Sequence, residues 1–307
     1  MLYIVMLCLG IGVGSSLHAE NKEYGSQSMV KRLKKVLVRR PDASFAVNDP
    51  AAWHYTDKPD LEKAKQEHDA FVDILRNHGV EIVYHEAVLP NHADAIFVHD
   101  PVIITDHGAI MVRMGKALRE GEEAAMQETL EKLRIPLLGS LTGGATAEGG
   151  DILWLDESTL VIGRGFRTNQ EGIDQIKALV EPLGITVLVV ELPYFQGRDA
   201  CLHLQSLISL IDEKVAVVYL PLLSTQFVQL LIERGFHLIE IDEQEFCTMG
   251  SNILTIAPGV CVTLAGNNRV RAALESMGVM VYCYQGNEIS LKAEGGATCL
   301  TRPLLRD

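Results

Sequence analysis

Thr225 to Ile241 reads TQFVQLLIERGFHLIEI: an amphipathic helix to Arg234, Gly235 where a helix C-cap belongs, then the apolar strand Phe236–Ile241. The same helix–strand unit recurs roughly every 50 residues, a period that decides an architecture. It appears as helix Asp60–Asn77 with strand Val80–Tyr84, helix Glu120–Leu133 with strand Ile135–Leu138, helix Asn169–Leu183 with strand Ile185–Val190, and helix Asn268–Met277 with strand Val279–Tyr282. Gly79, Gly184 and Gly278 repeat the cap glycine. Hairpin patterns lie between the units: Phe97–Val112 turning at Asp106-His107-Gly108, Asp151–Ile162 at Asp156-Glu157-Ser158, His203–Tyr219 at Asp212-Glu213-Lys214, and Asn252–Leu264 at Pro258-Gly259. The last unit has one hairpin strand, Ala297–Thr301, and its missing partner is available as Val36–Arg40 at the other end of the chain. Five ββαβ-type units closing into a ring follow. A doubly wound open sheet would instead place single parallel strands between helices.

In a ring, equivalent positions face a common axis. The starts of the first hairpin strands read Phe97-Val98-His99-Asp100, Glu148-Gly149-Gly150-Asp151, Cys201-Leu202-His203-Leu204-Gln205, Met249-Gly250-Ser251-Asn252 and Gly296-Ala297-Thr298-Cys299. Burying such groups costs a few kcal/mol each unless they are paired, so their convergence predicts either a functional site or a structural polar plug. Cys299 alone reads as a small core residue; the company it keeps makes it a candidate nucleophile.

Glu148-Gly149-Gly150-Asp151, Leu202-His203-Leu204 and Gly295-Gly296-Ala297-Thr298-Cys299 resemble, in order, the signature motifs of the guanidino-group-modifying enzymes with the pentein fold, the five-bladed α/β propeller. Asp94-Ala95-Ile96-Phe97-Val98-His99-Asp100 and Arg167-Thr168-Asn169-Gln170 are most similar to the dimethylarginine dimethylaminohydrolases. The resemblance runs from about residue 29 to the end. It implies Cys299 as nucleophile on the guanidinium carbon, His203 as general acid and then base, and Glu148 as partner to both imidazole and substrate. Asp100 would anchor the guanidinium, with Asp151 beside the Glu148 motif, while Arg119 and Arg167 would take the substrate carboxylate and Asp94 and the Ala293 backbone its α-amino end. His99 departs from the family, which commonly has a carboxylate there. Free-arginine and agmatine deiminases carry His-x-Asp, whereas Gln205 stands at that place here, which favours an Nω-methylated substrate over a bare guanidinium. Amidino transfer shares the covalent intermediate and stays open.

Composition sets the outer limits. With 307 residues, 48% hydrophobic and 22% charged, the chain can bury a full core, and no Pro/Ser-rich linker divides it. A net charge of −13 argues against nucleic acid or an anionic membrane surface as partner and suits a small cationic amino acid such as methylated arginine. A homodimer is compatible with it. The six cysteines form no CxxC pair and no disulfide framework. No cofactor or metal is expected; the alternative from another class is zinc on Cys201, His203, Cys299 and Glu148, and a further one is a non-catalytic guanidino-binding protein. Cys247, Cys261 and Cys283 read as core, and His54, His68, His92, His107 and His237 as surface or loop. Asp49–Tyr55, with Pro50 and Trp53, is the expected lid. Residues 1–28 read as a leader, either a signal peptide or a disordered or mis-started segment, before a single catalytic domain, 29–307. The apolar run Met1–Val13 lacks a preceding basic residue, so a cytoplasmic protein is expected, with export as the alternative if 1–19 form a signal peptide.

Overall fold

The structure is a computed structural model that describes residues 22–198 and 200–307. The first unit holds β1 (Leu33–Val38), α1 (Leu61–Asn77) and β2 (Glu81–Tyr84). The second runs β3 (Val102–Thr105), β4 (Gly108–Met111), α2 (Glu122–Lys132), β5 (Leu137–Ser140), and the third β6 (Ile152–Asp156), β7 (Thr159–Arg164), α3 (Gln170–Val180), β8 (Thr186–Glu191). The fourth is β9 (Ile208–Asp212), β10 (Val215–Val218), α4 (Thr225–Glu233), β11 (His237–Glu240). A short helix, α5 (Glu243–Phe246), leads to the fifth, β12 (Leu254–Ala257), β13 (Val260–Leu264), α6 (Asn268–Ser276), β14 (Met280–Tyr284), and β15 (Arg302–Arg306) ends the chain.

Among the described residues these strands form five three-stranded sheets, and each middle strand pairs antiparallel with its hairpin partner and parallel with the strand after the helix. β1 is the middle strand of the first sheet, antiparallel to β15 and parallel to β2, so the chain's end completes its first unit. The inner strands β3, β6, β9, β12 and β15 each contribute residues to one cavity on the axis. The fold is the expected five-bladed α/β propeller.

Local chemistry explains the units. The Asp60 carboxylate caps α1 by accepting from the amides of Glu62 and Lys63 at 3.1 Å, and α1 buries the stripe Ala64, His68, Phe71, Val72, Leu75 against its sheet. Five helices end in a left-handed residue: Gly79, Gly184, Gly235 and Gly278 at φ 76°, 81°, 79° and 83°, and Arg134 at 58°. The Cβ of Arg134 makes the second unit the strained one.

The structure moves several expected boundaries. The last strand is Arg302–Arg306, not Ala297–Thr301, and Pro303 lies inside it, tolerated because β15 is a sheet edge. Residues 296–301 form a turn instead, closed by Leu300 N donating to Gly296 O (3.2 Å) and Thr301 N to Thr298 O (3.1 Å). The second unit's parallel strand begins at Leu137 rather than Ile135, because Arg134 turns the chain and Pro136 O accepts from Ala109 N (2.8 Å). Residues 22–28, expected in the leader, belong to the domain: Gly25 bridges β15 through Leu304 O and Arg306 N, both 2.8 Å, and Ser26, Gln27 and Ser28 are buried. The apolar run and the cleavage-site reading at 16–19 fall outside the described residues. His68, expected near the surface, is fully buried on the apolar face of α1, where both ring nitrogens lack a partner and burial holds its pKa down to about 4. Cys247 is exposed, not core, as it follows α5 on the surface, while Cys261 is buried. No helix among the described residues is long and apolar enough to cross a membrane.

Candidate active site

The turns that precede the inner strands aim side chains at the mouth of the ring. Asp100 lies just before β3, Glu148 before the turn that opens β6, His203 before the turn that opens β9, Asn252 before β12 and Cys299 before β15. Glycine makes two close approaches feasible. A Cβ on Gly150 would meet the His203 ring at 2.3 Å, and one on Gly296 would meet Asn252 at 2.5 Å. The C-terminal glycines therefore make room for Asn252 and, at Gly295, for Phe97, rather than only for a ligand.

Glu148 is the hub. Its Oε2 meets His203 Nε2 at 2.7 Å and Arg167 Nη1 at 3.1 Å, while Oε1 accepts from the amides of Gly115 (2.9 Å) and Lys116 (3.1 Å). Burial disfavours its charge, but the His203 hydrogen bond and the Arg167 guanidinium outweigh it and hold its pKa below the usual carboxylate range. His203 moves the other way. Burial opposes its charge, yet the Cys201 sulfur, Asp151 and Glu148 surround the ring and raise its pKa well above the ordinary value; Cys201 Sγ is 3.5 Å from Nδ1. Asp100 Oδ1 accepts from Gly150 N (2.9 Å) and Oδ2 pairs with Arg119 Nη1 (2.6 Å). Asn252 Nδ2 donates to Cys299 Sγ at 3.3 Å, and the Asn252 carbonyl accepts from Thr298 N at 3.0 Å. Loss of water, reinforced by the Asp100 charge, pushes the Cys299 thiol up to about 11. These shifts favour a neutral Cys299 thiol opposite a charged His203–Glu148 pair.

Cys299, His203, Asp100, Asp94, Arg119, Arg167 and Ala293 all line one cavity of about 40 Å³, with Trp53 and His54 of the expected lid. Glu148 stands directly behind His203. Asp151 does not line it: its carboxylate accepts from Thr168 Oγ1 (2.6 Å) and Leu204 N (3.0 Å), tying the third unit to the fourth, and burial raises its pKa to about 6. Arg119 lines the cavity with its guanidinium already engaged by Asp100, by Glu122 (Nη2 to Oε2 2.7 Å) and by Phe97 O (3.0 Å), so it orients Asp100 instead of offering free donors to a carboxylate. A buried guanidinium needs counter-charge, and these two acids supply it.

Sequence reasoning passed over Lys116 and Tyr55. Lys116 Nζ donates to Asp94 Oδ2 (2.6 Å) and to Trp53 O (2.9 Å) and lies 5.2 Å over the Trp53 ring, fastening the 51–55 segment across the cavity. Tyr55 OH donates to Asp94 Oδ1 at 2.9 Å. No pattern marks an isolated lysine or tyrosine. Gln205 turns away from the cavity, its amide donating to Gly149 O (3.0 Å), Ile152 O (2.5 Å) and His99 Nε2 (3.1 Å). Among the described residues, the group close enough to share a cation is Asp100, Glu148 and His203, within 4.8 Å of one another, with neither thiol of the zinc reading among them.

The model of a protein family described as "N,N dimethylarginine dimethylhydrolase, eukaryotic" matches residues 47–306. The chain belongs to this dimethylarginine dimethylhydrolase family. Its members are hydrolases acting on guanidino C–N bonds. The family chain is 28% identical over 271 residues to the N(G),N(G)-dimethylarginine dimethylaminohydrolase of Pseudomonas aeruginosa, covering 87% of this chain and 98% of that one. It is 31% identical over 212 residues to the same enzyme of Streptomyces coelicolor, covering 67% and 78%. A solved structure of the Pseudomonas aeruginosa enzyme, a cysteine-to-serine mutant with citrulline, superposes with a TM-score of 0.74 at 26% identity, over 90% of this chain and all of that one. An amidinotransferase from Microseira wollei shares the fold, with a TM-score of 0.76 at 14% identity over 92% and 97%.

Proposed function

We propose that this protein hydrolyses Nω-methylated arginine to citrulline and a methylamine through a covalent intermediate on Cys299. The observation that carries the reading is the meeting of Cys299, His203 and Asp100, from three different units, at one cavity backed by Glu148 from a fourth. The likeness to the citrulline-bound Pseudomonas aeruginosa enzyme supports a small amino-acid substrate.

The substrate guanidinium lies against Asp100 and the Glu148–His203 pair. Its positive charge beside Sγ lowers the cost of ionising the Cys299 thiol, whose proton passes to solvent as the substrate binds, and the thiolate attacks the guanidinium carbon. His203, held protonated by its neighbours, gives a proton to the departing methylamine and then takes one from the water that resolves the S-alkylthiouronium. Asp94 receives the α-ammonium group once Lys116 yields, and Arg167 and the Ala293 backbone help to place the rest of the amino-acid end. A cavity of about 40 Å³ is far below the roughly 300 Å³ of an occupied small-molecule pocket, so the 51–55 segment lifts before substrate enters. Gln205 points away from the cavity and brings no carboxylate to it, leaving Asp100 and Glu148 as the carboxylates that hold the guanidinium.

The test incubates purified protein with dimethylarginine, monomethylarginine, arginine and agmatine, scoring ureido product and released amine, alongside Cys299→Ser. Methylated substrates should turn over fastest, and the serine variant should lose at least about a thousandfold in rate. Equal rates for the serine variant would overturn the nucleophile assignment. Transfer of the amidino group to an amine without net hydrolysis would move the protein to the transferases.

A further inference from the structure

Beyond the site just described, the axis holds a second cavity. It lies deeper in the ring, between the inner strands, and the arm carrying Ser26 and Ser28 closes it from the far side. Its space is about 20 Å³, room for about one water molecule or one monatomic ion.

The charge of its lining is one-sided. Arg302 and Arg306 both border it, and among the described residues no aspartate or glutamate does. They are 7% and 3% exposed. Their hydrogen bonds run to neutral carbonyls: Arg302 Nη2 to His99 O, Arg306 Nη1 to Lys31 O, and Arg306 Nη2 to Thr255 O at 2.9 Å. Neither forms an ion pair among the described residues. The nearest carboxylate on the axis, Asp100, attracts Arg302 at a distance but spends its oxygens on Arg119 and Gly150. Each arginine also has a buried Nε–H without any partner. Burial lowers both guanidiniums to about 9, which still leaves them charged at neutral pH.

Two buried cations without counter-charge are among the costliest arrangements a core can hold, and unpartnered donors on both call for an acceptor between them. A water supplies an acceptor but no charge. Ser28 offers one more donor, because its Oγ accepts from the amides of Val30 (3.1 Å) and Lys31 (3.0 Å) and keeps its own proton to give. His99 adds no charge to the wall: its Nδ1 donates to Thr301 O at 2.8 Å and its Nε2 faces the Gln205 amide, the pattern of a neutral ring.

We propose that this axial cavity binds one small monovalent anion of the halide class, held between Arg302 and Arg306. The ion is the missing counter-charge of the ring's interior, and it ties β15 to the arm of residues 25–31. Because it binds the folded chain and has no counterpart in the unfolded one, it stabilises the protein by mass action.

The experiment uses the full chain and two independent readouts. Thermal unfolding is followed in sodium chloride and in sodium gluconate at matched ionic strength, gluconate being far too large for the cavity. The midpoint should rise saturably by several degrees with chloride and stay flat with gluconate, and Arg306→Met should raise the half-saturating chloride concentration at least about tenfold. Should that variant fail to fold, diffraction from wild-type crystals soaked in sodium bromide decides alone, through an anomalous peak between the two guanidiniums. Equal midpoints in the two salts, or a cavity holding water with no bromide signal, would overturn the proposal.

Discussion

The two cavities are lined by adjacent residues, His99 on one and Asp100 on the other, and they hold their charge in opposite ways. The buried ions at the mouth are paired: Lys116 with Asp94, Arg119 with Asp100 and Glu122, Arg167 and His203 with Glu148, while Glu294, exposed at its edge, has no ion pair among the described residues. Deeper in the ring, Arg302 and Arg306 have none among the described residues. Paired charge beside a cavity is exchangeable, because an incoming cation can replace Lys116 on Asp94 without leaving a carboxylate bare. Unpaired charge in a small buried space is a standing demand for a counter-ion. The same inner-strand scaffold thus carries a site whose buried charges are balanced at one end and a site short of negative charge at the other.

The sharpest way to break the first half of that contrast is Glu148→Gln. The amide keeps the shape but removes the charge that holds His203 protonated and Arg167 in place. Turnover should fall on the order of a hundredfold or more, and the alkaline limb of the rate profile should move to lower pH as the imidazole loses its carboxylate. Steady-state rates across pH would show this; an unchanged limb would mean that Glu148 is only packing.

Most of the mouth was legible in the sequence, because a polar group at the start of an apolar strand is conspicuous and the five-unit period said that such starts converge. The ring closure was legible for the same reason, although the last strand runs Arg302–Arg306 and includes Pro303, which an edge strand accommodates. The rest left no trace of that kind. Asp151 reads like its neighbour Glu148, and only the positions of Thr168 and Leu204 assign it to bracing. Arg119 reads as a ligand until Glu122, one helical turn away, is seen to hold it. Arg302 and Arg306 look like ordinary basic residues near a chain end, and the absence of any acid around them is a property of five strands that no single stretch contains. Residue 68 shows the limit from the other side: a histidine on the apolar stripe of α1 fits the helical pattern, yet a surface position is the ordinary expectation for its type.

His99 forms the wall between the two ends, and its neutrality is open to test. Burial, with Arg302 adding to it, holds its pKa down to about 3. An unfolded histidine takes its proton near 6.5, so between about 6.5 and 3 the unfolded chain binds a proton that the folded chain refuses. This group's share of stability is therefore full above pH 6.5 and is lost as pH falls through that window, by up to about 1.4 kcal/mol per pH unit. His99→Gln, which can still donate to Thr301 O, should flatten the pH dependence of chemical-denaturation stability by that amount between pH 6.5 and 4. A variant with the wild-type slope would mean that the wall tolerates a third positive charge, against the picture of a cavity already short of negative charge.

The smallest effect concerns exchange itself. If the mouth works by letting substrate replace a resident cation, then removing that cation lowers the cost of entry. Lys116 holds the segment bearing Trp53 over the cavity and neutralises Asp94, so Lys116→Met releases both at once. KM for methylated arginine should fall several-fold with kcat changed less, since the α-ammonium group of the substrate no longer competes with Nζ and the lid no longer has a fastening to break. Steady-state kinetics separates this from its opposite. A rise in KM would place Lys116 among the groups that hold the substrate, and the mouth would then resemble the deeper cavity, built around a cation that stays.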